Sequence, residues 1–169
     1  MRPDILCLGK GITSGYLPMS ATVANERVFS AFLGPDLSER TLYHGHSYGG
    51  NALAAAVALK HLQLMTEWQV LDNVRQRSIE LSSAMNRVAI ESSHIGELRI
   101  AGLMCAIELI SPERPRFARR VCAAMTRRGV LARSLGDNVI LVPPLTITAA
   151  EIEQIVTAFR ESLAEVAGD

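Results

Sequence analysis

Pro3-Asp4-Ile5-Leu6-Cys7-Leu8-Gly9-Lys10-Gly11 is the stretch on which the reading of this chain turns. Ile5 to Leu8 form an apolar run that ends in a Gly-Lys-Gly step. An apolar run of that length, with no polar alternation and closed by glycine, predicts a buried strand at the centre of a parallel sheet. The glycines let the backbone turn sharply and let a ligand come close to it. A lysine is strongly hydrated, so the end of a buried strand is a costly place for one. Either its stem snorkels to water, or its amine is used. A desolvated lysine can lose its proton near neutral pH and condense with a carbonyl. The chain holds two lysines, and Lys60 sits beside His61 in a helical pattern that reads as a solvated face. Lysine chemistry therefore falls to Lys10.

The rest of the composition narrows the class. With 169 residues there is room for one domain or two small ones. Seventeen basic residues balance seventeen acidic ones, and no basic block points to a nucleic acid or a membrane. No apolar run is long enough to span a bilayer, and no secretory pattern precedes the first strand. Cys7, Cys105 and Cys122 lie far apart in apolar segments. They read as reduced core residues of a cytoplasmic protein, not as a disulfide frame or a metal site. A central parallel strand needs neighbours and crossover helices on both sides. Met1 stands too close to this strand to supply them upstream, so the sequence reads as the C-terminal part of a larger protein.

Beyond Lys10, Gly11 to Pro18 is a loop dense in turn residues, of the kind in which α/β proteins keep ligands. A short strand is expected over Met19 to Ala24, then a short helix capped by Asn25 with Val28, Phe29 and Phe32 on one face. Leu42 to Asn51 (LYHGHSYGGN) opens into an Ala- and Leu-rich helix over Ala52 to Met65. A glycine-rich turn at a helix start suits a phosphate. Spacing alone favours the plainer alternative, a cap in which Ser47 or Asn51 satisfies the first-turn amides. His44 and His46 have no carboxylate or cysteine at ligand spacing, and no metal site is expected. Gln69 to Ser93 predicts an amphipathic helix with Val70, Leu71, Val74, Ile79, Leu81, Met85 and Val88 as its apolar stripe. The change from an all-apolar helix to this one sets a domain boundary near Trp68, between residues 1–68 and 69–169.

The second part alternates strands and helices. Strands are expected over Ile95 to Ile100, at an edge, and over Gly102 to Leu109, buried. Pro112 and Pro115 open a basic helix that runs to Arg128 and ends at Gly129. Val130 to Arg133 and Val139 to Val142 form a hairpin around Gly136-Asp137. Thr148 to Glu151 is a capping-box pattern before a last helix over Ala150 to Val166. Arg133 has two readings, a surface salt bridge or a guanidinium fork for a carboxylate. Spacing alone favours the first.

Three stretches weigh on these readings together: Asp4 to Ala21 (DILCLGKGITSGYLPMSA), His44 to Ala54 (HGHSYGGNALA) and Arg133 to Leu145 (RSLGDNVILVPPL). In order and spacing they resemble the C-terminal half of the class III aminotransferases, which depend on pyridoxal phosphate and have the α/β fold-type I architecture. Ile95 to Leu109 adds to the match. Within the class the chain looks most like the branch serving biotin synthesis. That branch moves an amino group from S-adenosylmethionine to 8-amino-7-oxononanoate to give 7,8-diaminononanoate. The resemblance implies that Lys10 forms the aldimine with pyridoxal phosphate and later moves a proton. It implies that Gly45, His46 and Ser47 form the turn reaching the cofactor phosphate of the other subunit of a homodimer, with Gly45 also on the substrate side. It implies that Arg133 holds the keto-acid carboxylate. Residues 1–68 would then be the end of the large cofactor-binding domain and residues 69–169 the small C-terminal domain. Many relatives carry Thr at the Ser47 position and Pro after the arginine, where this chain has Ser134. The family's Asp partner of the pyridine nitrogen lies upstream of the lysine strand and has no counterpart here. Two other readings stay open: a class III enzyme acting on an ω-amino acid or diamine, and a truncated chain inactive on its own.

Overall fold

The computed structural model describes residues 2–111 and 116–168. The chain divides into two compact units, Met1–Trp68 and Gln69–Asp169.

In the first unit, strand β1 (Ile5–Leu8) pairs antiparallel with β2 (Ala21–Ala24), Ile5 opposite Ala24 and Leu8 opposite Ala21. The expectation of a buried, central parallel strand is therefore corrected. β1 is exposed along its whole length, Cys7 included. The apolar run would suit a strand covered on both faces, but among the described residues its only strand partner is β2. A single 3-10 turn, Lys10–Thr13, follows, and then α1 (Glu26–Ser30), where Asn25 accepts a hydrogen bond from the Val28 amide as its cap. Helix α2 (Ala52–Glu67) packs on the Lys10–Thr13 turn. Its buried residues are Ala54 and Ala58, one turn apart. Small side chains at that spacing leave room for the turn's backbone to lie close.

In the second unit, Gln69 is left-handed (φ 48°) between α2 and α3 (Val70–Glu91). Val70, Val74, Leu81, Met85 and Val88 lie inward on α3. Leu71 and Ile79, expected on the same stripe, are 57% and 67% exposed, because they fall off the 3.6-residue period of the others. Strands β3 (Ile95–Ala101), β4 (Met104–Leu109), β5 (Arg133–Leu135) and β6 (Asn138–Leu141) form an antiparallel sheet ordered β3-β4-β6-β5. Cys105, Ile107 and Leu109 on β4 and Val139 and Leu141 on β6 are buried. They meet α3, α4 (Arg116–Arg127) and α5 (Ala149–Ala167), whose buried residues include Val121, Met125 and Phe159. Burial pushes the Cys105 thiol up to about 12 and the Cys122 thiol to about 11, as expected of inert core cysteines.

The hairpin forms, but its first strand is Arg133–Leu135 and not Val130 to Arg133. Val130 is drawn into the core just after the left-handed Gly129 (φ 80°), and Leu131 stands 90% exposed, so pairing starts later. The turn is the two residues Gly136 and Asp137, with Gly136 at φ 59°. A glycine at positive φ in the first position is what a II′ hairpin turn requires. The Pro112 and Pro115 opening expected for α4 lies outside the described residues. The α5 capping box is complete. Thr148 N–H and Oγ1 each donate to Glu151 Oε2 at 2.8 Å, and the Glu151 amide donates back to Thr148 Oγ1 at 3.3 Å.

Two stability predictions follow from this unit. Ser162 on α5 is fully buried and its hydroxyl has no hydrogen-bond partner among the described residues. An orphaned buried donor costs about 1–3 kcal/mol. Ser162→Ala should leave denaturant stability unchanged or raise it by about 1 kcal/mol, and a loss beyond that amount would show a partner for the hydroxyl. Arg128 and Arg127 grip the Glu165 carboxylate, Arg128 Nη1 at 2.8 Å, and hold it below the ordinary glutamate range, Arg128 most. A carboxyl depressed in the folded state adds stability that is complete above its unfolded pKa and is lost as pH falls through the folded one. Glu165→Gln should lower stability slightly in the neutral region, where that contribution is complete, and leave the acid extreme unchanged, so that the acid limb of the stability curve flattens.

Candidate functional site

Gly9 is extended, and the chain then swings at Lys10 into the left-handed region (φ 47°). For a side chain with a Cβ this costs about 1–3 kcal/mol, and such strain gathers at functional positions. The turn is held from below. Thr13 is buried and its hydroxyl donates to the Leu17 carbonyl at 2.5 Å. Ser14 and Gly15 follow at positive φ, so the loop folds tightly back towards β2.

Lys10 opens onto a cleft of about 970 Å³ in the first unit. Its other walls include Ser20, His46, Tyr48, Gly49 and Asn51, together with the first turn of α2. The structure thus brings Lys10 and His46 to one cavity. Gly45 and Ser47 sit on the same exposed loop but do not line the cleft. His46 Nδ1 lies 3.2 Å from the Tyr48 amide and accepts its hydrogen bond. A neutral ring then carries its proton on Nε2, so the free nitrogen is a donor. Asn51 Oδ1 accepts from the Leu53 and Ala54 amides at 3.0 and 3.2 Å. The cap expected from spacing is therefore made by Asn51, and these two amides are already satisfied. The cleft holds one formal cation and no carboxylate among the described residues that line it. Its chemistry suits an anionic ligand bearing a carbonyl.

Arg133 lies in the second unit, exposed on edge strand β5. Among the described residues no ion pair engages its guanidinium, so the surface salt bridge favoured by spacing is not made. Its five donors remain available to a carboxylate. Among the described residues no three His, Cys, Asp or Glu side chains gather as a metal site, and no helix is long and apolar enough to cross a membrane. Sequence reasoning missed Ser20 and Tyr48 as cleft residues. Their only signal was their place in the two loops that flank Lys10 and α2.

The family model described as Aminotransferase class-III matches residues 1–163. The chain belongs to this family of transaminases. Adenosylmethionine-8-amino-7-oxononanoate aminotransferase of Nitratidesulfovibrio vulgaris is 42% identical over 97% of this chain and 32% of its own length. The crystal structure of the protein of that name from Methanocaldococcus jannaschii superposes with a TM-score of 0.86 at 35% identity, over 97% of this chain and 39% of that one. An amine transaminase from an uncultivated Pseudomonas species, solved in its PLP-bound internal aldimine form, does so at 0.87 and 34% identity, over 96% of this chain and 38% of that one. The α/β architecture is thus that of the pyridoxal-phosphate transaminases. The chain spans about a third to two fifths of the length of these relatives.

Asn51→Ala should cost about 0.5–2 kcal/mol by loss of the one oxygen that accepts from two amides at the start of α2. Amide exchange at Leu53 and Ala54 should speed up while that of α5 stays unchanged. Equal acceleration in both helices would mean global loosening and not loss of a cap.

Proposed function

We propose that this chain is the C-terminal part of a pyridoxal-phosphate-dependent aminotransferase of biotin synthesis. It would transfer an amino group from S-adenosylmethionine to 8-amino-7-oxononanoate. In this reading residues 1–68 end the large cofactor-binding domain and residues 69–169 are the small C-terminal domain of a cytoplasmic homodimer. The observation that carries the reading is the Lys10 amine opening onto a cleft that it shares with His46 and the start of α2. Those residues fit one side of a phosphorylated aldehyde. Lys10 and His46 both line the cleft, Nε2 of the neutral ring is left as a donor while Nδ1 accepts from Tyr48, and no carboxylate of the described lining repels an anion.

Pyridoxal phosphate supplies the electron sink that stabilises a carbanion at the substrate carbon. This chain's residues do the rest. Lys10 Nζ would anchor the cofactor and would hold or move a proton at that nitrogen. The left-handed backbone at Lys10 fixes where the stem starts. His46 and Ser47 give donors to phosphate oxygens and Gly45 leaves room for substrate beside them, across the subunit boundary. Arg133 receives the acceptor's carboxylate through its planar fork. No described carboxylate of the cleft can hold the cofactor's ring nitrogen, so the chain alone is expected to bind cofactor and turn over little or nothing. A second reading has support in the amine transaminase fold match. In that second reading this chain's donor is an ω-amino acid or a diamine.

Incubation with pyridoxal phosphate followed by borohydride should label Lys10, located by peptide mass spectrometry, well above Lys60. Lys10→Ala should remove that label. Equal labelling of both lysines, or label persisting elsewhere in the variant, would overturn the anchor. In a chain carrying the preceding part of the fold, turnover of 8-amino-7-oxononanoate with S-adenosylmethionine supports the first reading. Turnover of a diamine with a keto acid in its place supports the second.

A further inference from the structure

The four-stranded sheet has one face against the helices and one turned away from them. On the outer face the register sets Arg99 (β3), Ala106 (β4), Ile140 (β6) and Arg133 (β5) side by side across all four strands. Arg133 belongs to an edge strand of three residues whose one strand partner among the described residues is β6. Such a strand frays unless something fixes it.

The fixing comes from the opposite edge. Arg99 Nη2 donates to Asn138 Oδ1 at 2.5 Å, although β4 stands between their strands. Ala106, opposite Arg99 on β4, is small enough to leave that path across the face open. Glu97 pairs with the other arm of the Arg99 guanidinium and holds its direction. Asn138 then uses its amide nitrogen, which donates to the Leu135 carbonyl at 3.4 Å across the Gly136-Asp137 turn. The turn is tied once more by the Leu109 amide, which donates to the Asp137 carbonyl at 2.9 Å. Asn138 is also the diagonal neighbour of Arg133, two residues along β6 from Ile140.

We propose that Arg99 and Asn138 are positioning residues for Arg133. This rests on the reading of Arg133 as the carboxylate-holding group. The hydrogen-bond chain from Glu97 through Arg99 and Asn138 to the Leu135 carbonyl locks the hairpin, so that the Arg133 fork is oriented before a carboxylate arrives. A fork recognises a carboxylate only along its own plane. Ordering it in advance lowers the entropy lost on binding.

The test uses the full chain labelled with nitrogen-15 and titrated with hexanoate, a carboxylate with no amine. The Arg133 Nε–Hε resonance reports binding and thermal unfolding reports folding. Asn138→Ala and Arg99→Ala should each weaken hexanoate binding about three- to tenfold, and the double variant should be no weaker than either single one, because the two act as one chain. Exchange of the Ser134 and Leu135 amides should speed up in all three. Unchanged affinity in both single variants, with Arg133→Ala still abolishing binding, overturns the positioning role and leaves the reading of Arg133 intact. An additive loss in the double variant likewise overturns the linkage. No saturable shift in the unaltered chain, or none lost in Arg133→Ala, overturns the reading of Arg133 and the proposal with it. A lower melting temperature with unchanged affinity marks a merely structural role and also overturns the proposal.

Discussion

The second unit depends on the burial of one face of two neighbouring strands. Cys105, Ile107 and Leu109 alternate with Met104, Ala106 and Glu108 on β4, and Val139 and Leu141 alternate with Asn138 and Ile140 on β6. Burying each large apolar side chain contributes about 1.5–3 kcal/mol. A slip of one residue in either strand would turn that strand's whole buried set outward. The same alternation decides what faces away from the helices. Arg133, Asn138 and Arg99 share the outer face because Ser134, Val139 and Ile100 are committed inward. The surface chemistry is thus set by the core.

The first unit is built differently. Its buried residues are few and small, Thr13, Ala54 and Ala58. Close backbone approach replaces side-chain volume there, and the left-handed turn at Lys10 rests on the side of α2 that carries the two alanines. A larger residue at Ala54 would act on the lysine indirectly, by lifting the turn that carries it.

Much of this was legible from local rules. Asn25, Asn51 and the Thr148-Glu151 box cap their helices as their side-chain chemistry dictates. Gly136-Asp137 specified the hairpin, and the antiparallel alternation on β4 and β6 specified the buried face. What failed was long-range. Ile5 to Leu8 has the composition of a covered strand, but composition cannot say which chain supplies the cover, and β1 is exposed here. The start of β5 moved because Gly129 and the burial of Val130 took those residues out of pairing range. Of the candidate site, Lys10 and His46 were legible as positions but their shared cleft was not, since it depends on α2 packing on the turn. The Arg99–Asn138 contact spans 39 residues and two strands, and no sequence period carries such a signal.

The two-stranded ribbon β1-β2 has a further consequence. Each strand has one hydrogen-bonding edge satisfied by the other, and no strand of the described residues meets either outer edge. Ile5, Leu6 and Val23 on it are each about half exposed. Bare backbone donors and acceptors beside apolar side chains form a template for strand addition. Where nothing covers them, such edges favour strand-to-strand pairing between chains as concentration rises, and here the segment that ends at Lys10 carries one of them.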